Sequence, residues 1–135
     1  MHSETNQGLH RTLLGVAGIT AASGAVQLAT PGRVLRWLGC EDSPATRQGF
    51  ATVGMFMVVV GGSTLQGLLN PSTAAASPAA FWTAVQKFGA ASAVTAGVRR
   101  RVFARPALLV AANDLASGIL ALLWLSRQRR LERMP

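Results

Sequence analysis

The chain has 135 residues, room for one domain and not for two ordinary ones. Half of it is hydrophobic and 13% is charged, about half the charged share of a soluble domain, which argues against an ordinary water-soluble surface. A formal net charge of +8 invites a nucleic-acid reading, but the basic residues gather between apolar runs, where anionic headgroups attract each for about 1 kcal/mol.

The first apolar segment, about 12–30, reads "TLLGVAGITAASGAVQLAT" and is closed by Pro31-Gly32. It is long enough to span about 30 Å of hydrocarbon, which takes about 20 residues at 1.5 Å each. Arg11, the apolar run and "SGA" at Ser23 to Ala25 also admit a signal peptide. The run continues to Leu28 and the preceding residues include Glu4, so retention as a first helix is preferred. "PGRVLRWLGCEDSP" then reads as a short interfacial helix: Val34, Leu35, Trp37 and Leu38 offer apolar surface while Arg33 and Arg36 reach headgroups.

The second segment, about 44–69, contains "FATVGMFMVVVGGSTLQGLL" and ends at Asn70-Pro71; the third, about 78–98, is "PAAFWTAVQKFGAASAVTAGV". The fourth, about 106–125, is "PALLVAANDLASGILALLWL". Ser43-Pro44 and Ser77-Pro78 each set a hydroxyl acceptor before a proline, an N-cap and first-turn arrangement, and Pro106 can open the fourth helix likewise. Polar tails at 1–11 and 126–135 flank these spans. The expected fold is all-α, a single integral membrane bundle of four transmembrane helices with the interfacial helix between the first and second. A soluble bundle is the competing reading, but the second and fourth segments lack the polar stripe it requires.

Between helices in lipid, small residues permit close backbone approach. Ala17, Ala21 and Ala25 in the first segment, Gly54, Gly61 and Gly62 in the second, Gly89, Ala93 and Gly97 in the third, and Asp114 and Gly118 in the fourth mark the expected contact faces. The same faces would serve a homo-oligomer or a place in a larger membrane complex. Trp37, Trp82 and Trp124 fall near helix ends, where an amphipathic indole suits the interface.

Away from the ends of the spans stand two ionisable residues, Lys87 and Asp114. A charge at mid-membrane costs about 2.5–3.5 kcal/mol on insertion scales, so such residues face a protein interior and pair. Measured from the face that joins the third and fourth helices, Asp114 lies roughly 12 Å deep and Lys87 roughly 16 Å deep. A lysine side chain covers that difference, which makes each the other's expected partner. Thr83, Ala84, Ala90 and Ala91 flank Lys87 at helical spacing, and Ala111, Ser117 and Gly118 flank Asp114, leaving room for a pair or a bound polar group. Asn113 and Gln86 would extend the network; Gln27 and Gln66 would either join it or face headgroups.

The candidate ligand-binding set is therefore Lys87, Asp114, Asn113, Gln86 and Ser117. Its bland reading is an ion pair that fixes helix register. Its functional readings are a site for an amphipathic lipid or quinone-like molecule, or an enzyme with Asp114 as acid or base tuned by Lys87. Arg47, Arg99, Arg100 and Arg101 are candidate headgroup contacts, with Arg47 favoured as a simple helix anchor. His2 and His10 lie in the N-terminal tail beside a lone Glu4, and Cys40 stands alone, so neither a metal site nor an intrachain disulfide is expected. Neither a GxGxxG fingerprint nor a GxxxxGK phosphate loop is present.

The Gly-studded "LLGVAGITAASG", a lysine in the third helix and a polar residue in the fourth resemble the small bacterial DoxX-like membrane proteins. Where members of that group often carry a charged residue late in the first helix, this chain has Gln27. The resemblance implies a multi-pass protein of the bacterial inner membrane, and it admits a quinone as ligand where the residues themselves indicate no cofactor. The near-exclusive use of Arg over Lys is consistent with a GC-rich bacterial genome.

Overall fold

A computed structural model describes residues 2–70 and 75–133, with side chains from Gln7 onward. The described chain is helical: α1 (His2–Ala29), α2 (Pro31–Trp37), α3 (Pro44–Leu69), α4 (Ala76–Arg99) and α5 (Ala107–Leu131). Three of these, over Gln7–Ala29, Pro44–Leu69 and Ala107–Leu131, are long and apolar enough to cross a membrane. The third expected span does form a long helix, α4, but is not among them. Gln86, Lys87 and a run of Ala, Gly, Ser and Thr dilute its hydropathy.

The four long helices form a ring in which α1 packs closely on α3 and α4 on α5, with α3–α4 and α1–α5 closing the circle. The ends of that ring differ. At the end holding the chain termini, Leu13, Leu68, Ala80, Ala84, Ala121, Trp124 and Leu125 make a tight core. At the opposite end α2 lies across the helices, tied to the α4–α5 loop by the Ala104 N–H donating to the Leu38 carbonyl at 3.0 Å.

Caps explain several boundaries. Ser43 is an N-cap, its hydroxyl accepting from the Thr46 N–H at 3.2 Å with Pro44 in the first turn. Ser77 is not: α4 begins at Ala76 and its N-cap is Ala75, without a side-chain bond. Pro106 sits one position before α5 as its N-cap. Asn70 caps the end of α3, and Pro71, expected to close that helix, lies outside the described residues. α1 and α5 each run as helix into the expected polar tails.

α2 ends in a Schellman turn. The Cys40 N–H reaches the Leu35 carbonyl at 3.0 Å, the Gly39 N–H reaches Arg36 at 3.1 Å, and Gly39 takes the left-handed φ of +69° that this motif needs. The end of α4 repeats the motif, with Val102 bonding Gly97 at 2.9 Å and Arg101 bonding Val98 at 3.0 Å. There a non-glycine residue, Arg101, occupies the left-handed position at φ 60°. Such strain costs about 1–2 kcal/mol.

Small residues set the α1–α3 contact as expected, save for a shift of register on α1 and for Gly62, where an added methyl group would meet nothing within 4 Å. A methyl group on Gly61 would lie 2.6 Å from the Ala21 nitrogen and 2.8 Å from the Ala17 oxygen. Gly24, rather than the exposed Ala25, completes the α1 face, and it meets Gly54. Within the bundle the expected α4 stripe is not the contact face: Gly89 and Ala93 are exposed, while Ala80, Thr83, Ala84, Lys87 and Ala91 form the buried face. Packing follows the polar residue that must be buried, and Gly89 and Ala93 lie on other faces of the helix from Lys87. Gly97 is covered by the Phe103 ring folding back from the loop, and Gly118 by Phe88, whose ring would lie 3.1 Å from a methyl group added there.

Trp124 corrects another expectation. It is 3% exposed and central to the core, against the expectation of an interfacial indole, whereas Trp37 and Trp82 are 63% and 61% exposed. Among the described residues its indole N–H finds no acceptor; the His10 ring lies tilted against it with ring centroids 6.3 Å apart. Along the helices, hydroxyls of Thr20, Thr30, Thr64, Thr95 and Ser117 donate to the carbonyl four residues back, satisfying polar atoms in an apolar setting. Thr64 and Thr83 also bond each other at 2.6 Å across the α3–α4 contact.

A buried ion pair beneath a capped cavity

Lys87 Nζ donates to Asp114 Oδ1 at 2.7 Å, and the two side chains are 4% and 10% exposed. The pair is therefore formed as the helix depths imply. It joins α4 to α5 midway along the ring. On its terminal side lie Thr83, Ser117 and Gly118 with Phe88, all tightly packed. On its other side lies open space.

That space is a cavity of about 520 Å³ between the α1–α3 pair and the α4–α5 pair. Its walls are chiefly apolar: Ile19 and Val26 from α1, Phe50, Val53 and Met57 from α3, Ala90 and Val94 from α4, and Val110 from α5. Val34, Trp37 and Leu38 of the α2 region, with Phe103 from the α4–α5 loop, roof it at the end opposite the tight core. Lys87 and Asp114 form its floor and are its charged lining residues. A cavity of several hundred Å³, apolar with a few convergent polar groups, has the form of a small-molecule site.

The remaining candidates divide. Gln86 and Asn113 line the cavity with the pair; Ser117 does not. Its hydroxyl donates to the Asn113 carbonyl at 2.8 Å, one turn beyond the floor, so it supports α5 and does not face the space. Gln86 Oε1 is buried and has no donor among the described residues. Gln27, read as either a network member or a headgroup contact, is buried, lines the cavity and donates to the Phe50 carbonyl at 2.9 Å. Gln66 lies exposed near the far end of α3 and takes no part.

The arginines also divide. Arg47 binds Asp42 through two nitrogens, one bond at 2.9 Å, and Asp42 also bonds Arg36. Arg47 is thus held in an ion-pair cluster that pins the start of α3 to α2. Hydrogen bonds from Arg47, reinforced by Arg36, keep the Asp42 carboxyl below its usual range. Arg99, Arg100 and Arg101 are exposed at the end of α4. Partial burial pushes the Cys40 thiol up, away from reactivity. Among the described residues no three His, Cys, Asp or Glu side chains gather as a metal site would require; the His2 side chain lies outside them.

Sequence reasoning missed the roof. The interfacial helix was legible as amphipathic, but that its apolar face covers a cavity depends on the α4–α5 loop lying beside it. Comparison of the chain with family models, with curated proteins and with solved structures finds no match.

Proposed function

We propose that this is a four-span protein of the bacterial inner membrane that binds an amphipathic small molecule, a lipid or quinone-like compound, in the cavity above Lys87 and Asp114. α4 is its fourth crossing: Thr83, Gln86 and Lys87 face the ring interior, and its neighbours α3 and α5 supply the apolar surroundings. Exposed Phe56, Val59, Leu109, Ile119 and Leu123 on those neighbours would meet hydrocarbon. Arg99, Arg100 and Arg101 meet headgroups at the roofed end. The role is that of an accessory or ligand-holding subunit.

The observation that carries this reading is a cavity whose sole charged lining groups are already paired with each other at 2.7 Å. A pair that served register alone could be packed on every side, as Thr83 and Ser117 pack one side of this one. Leaving the other side open forgoes dispersion contacts along the whole lining. A resident molecule restores them.

The test is extraction and mass spectrometry of molecules that copurify with the protein, comparing wild type with Ala90→Phe, which puts a ring into the cavity one turn from Lys87 and leaves both members of the pair in place. A compound enriched over bulk lipid in wild type and absent from a folded variant supports the reading. Identical extracts would overturn it.

A further inference from the structure

Asn113 and Asp114 are adjacent, yet they face different surroundings. Asp114 is buried on the cavity floor, while Asn113 lines the same cavity and is exposed. Across from it on α1, Ile19, Ala22, Ser23 and Val26 also both line the cavity and stand exposed. α1 and α5 meet at the terminal end, where Leu13 and Trp124 share the core and His10 lies against Trp124, while nearer the roof both helices line the cavity. No hydrogen bond among the described residues uses the Asn113 side-chain amide. An unpartnered amide on the lipid-facing side of an apolar helix is unfavourable unless something polar passes it.

Resting on the binding reading above, we infer that the gap between α1 and α5, edged by Ser23 and Asn113, is a lateral portal through which an uncharged, single-tailed alcohol enters the cavity from the bilayer. The head must be uncharged because the floor pair is closed on itself and no other charged residue lines the space. A net charge brought there would be desolvated without a counter-ion. The head must also both donate and accept. Lys87 and the Asn113 side-chain NH2 supply donors, while Asp114 and Asn113 Oδ1 supply acceptors. A hydroxyl satisfies both with one small group. Gln86 Oε1, on the same wall and without a donor, gives the hydroxyl a further acceptor. The apolar tail then follows Ile19 and Val26 out toward lipid.

The full chain in phosphatidylcholine nanodiscs is photolabelled with hexadecanol carrying a diazirine on its chain, and labelled peptides are mapped. Labelling on α1 and α5 near Ile19, Val26 and Val110 should be displaced by unlabelled hexadecanol about tenfold more effectively than by hexadecanoate or hexadecyltrimethylammonium. Asn113→Phe and, separately, Ser23→Leu should each cut it about tenfold, while Val59→Phe, on the outer face of α3, should not. Equal competition by a charged amphiphile would overturn the uncharged class and leave the cavity reading standing. Saturable labelling that ignores both portal variants would overturn lateral entry alone. Labelling that no competitor displaces, in wild type as in Ala90→Phe, would overturn this inference and the binding reading together.

Discussion

Gly24 of α1 and Gly54 of α3 meet backbone to backbone. A methyl group on Gly24 would lie 2.6 Å from the Gly54 carbonyl oxygen, and one on Gly54 would lie 2.7 Å from that of Gly24. The obstruction is main chain on both sides, which no rotamer change relieves. Gly54→Ala should therefore force the helices apart and destabilise the bundle by about 1–3 kcal/mol. Gly62→Ala, where an added methyl meets nothing within 4 Å, should be neutral or gain up to about 1 kcal/mol from helix propensity. Unfolding of both variants in mild detergent with increasing SDS makes the comparison.

The Lys87–Asp114 bond gives a sharper contrast. Removing one partner strands a buried charge, so Lys87→Met or Asp114→Leu alone should cost about 3–5 kcal/mol. The double variant replaces both groups with apolar ones and should recover most of that loss. The same unfolding assay, run as a double-mutant cycle, reads the coupling directly. Near-additive single losses would mean that the bond at 2.7 Å contributes little to holding α4 against α5.

Much of this site was legible before any coordinates. Lys87 and Asp114 stand out because ionisable residues are rare in apolar helices, and the short α4–α5 connection sets them at matching depths. The small-residue rule located α1 and α3 well, because Ala17, Ala21, Gly54 and Gly61 lie on faces with no polar competitor. Within the bundle it failed on α4, where Gly89 and Ala93 are exposed because burying Lys87 fixes the helix's rotation. Trp124 was misread because an indole near a helix end is ambiguous until it is known whether a neighbouring helix covers it. The cavity could not be read at all. It arises from the pairwise packing of α1 on α3 and α4 on α5, with α2 closing the gap, a tertiary arrangement that no residue pattern encodes.

Arg101 carries a left-handed backbone at φ 60° for the sake of the turn that ends α4. Arg101→Gly should remove that strain and stabilise the protein by about 1 kcal/mol, while Arg101→Val, branched at Cβ, should destabilise it. Arg101→Ala separates loss of charge from backbone relief. Thermal unfolding in nanodiscs measures all three. Melting temperatures that track side-chain charge instead of backbone preference would refute the strain account.

Asp42 links α2 to α3 through Arg47 and Arg36, and these bonds lower its folded-state pKa. A carboxyl near 3.9 in the unfolded chain and lower in the folded one contributes stability that is present above about pH 4. That contribution is lost as pH falls through the depressed folded value. Trp37 fluorescence should therefore report α2 staying in place at neutral pH and loosening in acid below about pH 4. Asp42→Asn should loosen α2 at all pH values and flatten the acid transition. Because the Arg36 and Arg47 side chains that hold Asp42 are about half exposed, high salt should weaken the effect.

The most direct test of the account is native mass spectrometry of the intact protein released from nanodiscs, comparing wild type with the Lys87→Met/Asp114→Leu double variant. The double variant keeps the packing that the pair provides and removes the polar floor. Binding above that floor predicts a discrete non-lipid or selected-lipid adduct on wild type that is missing from an equally stable double variant. The same adducts on both, or none on either, would contradict it and leave Lys87 and Asp114 as the bond that holds α4 to α5.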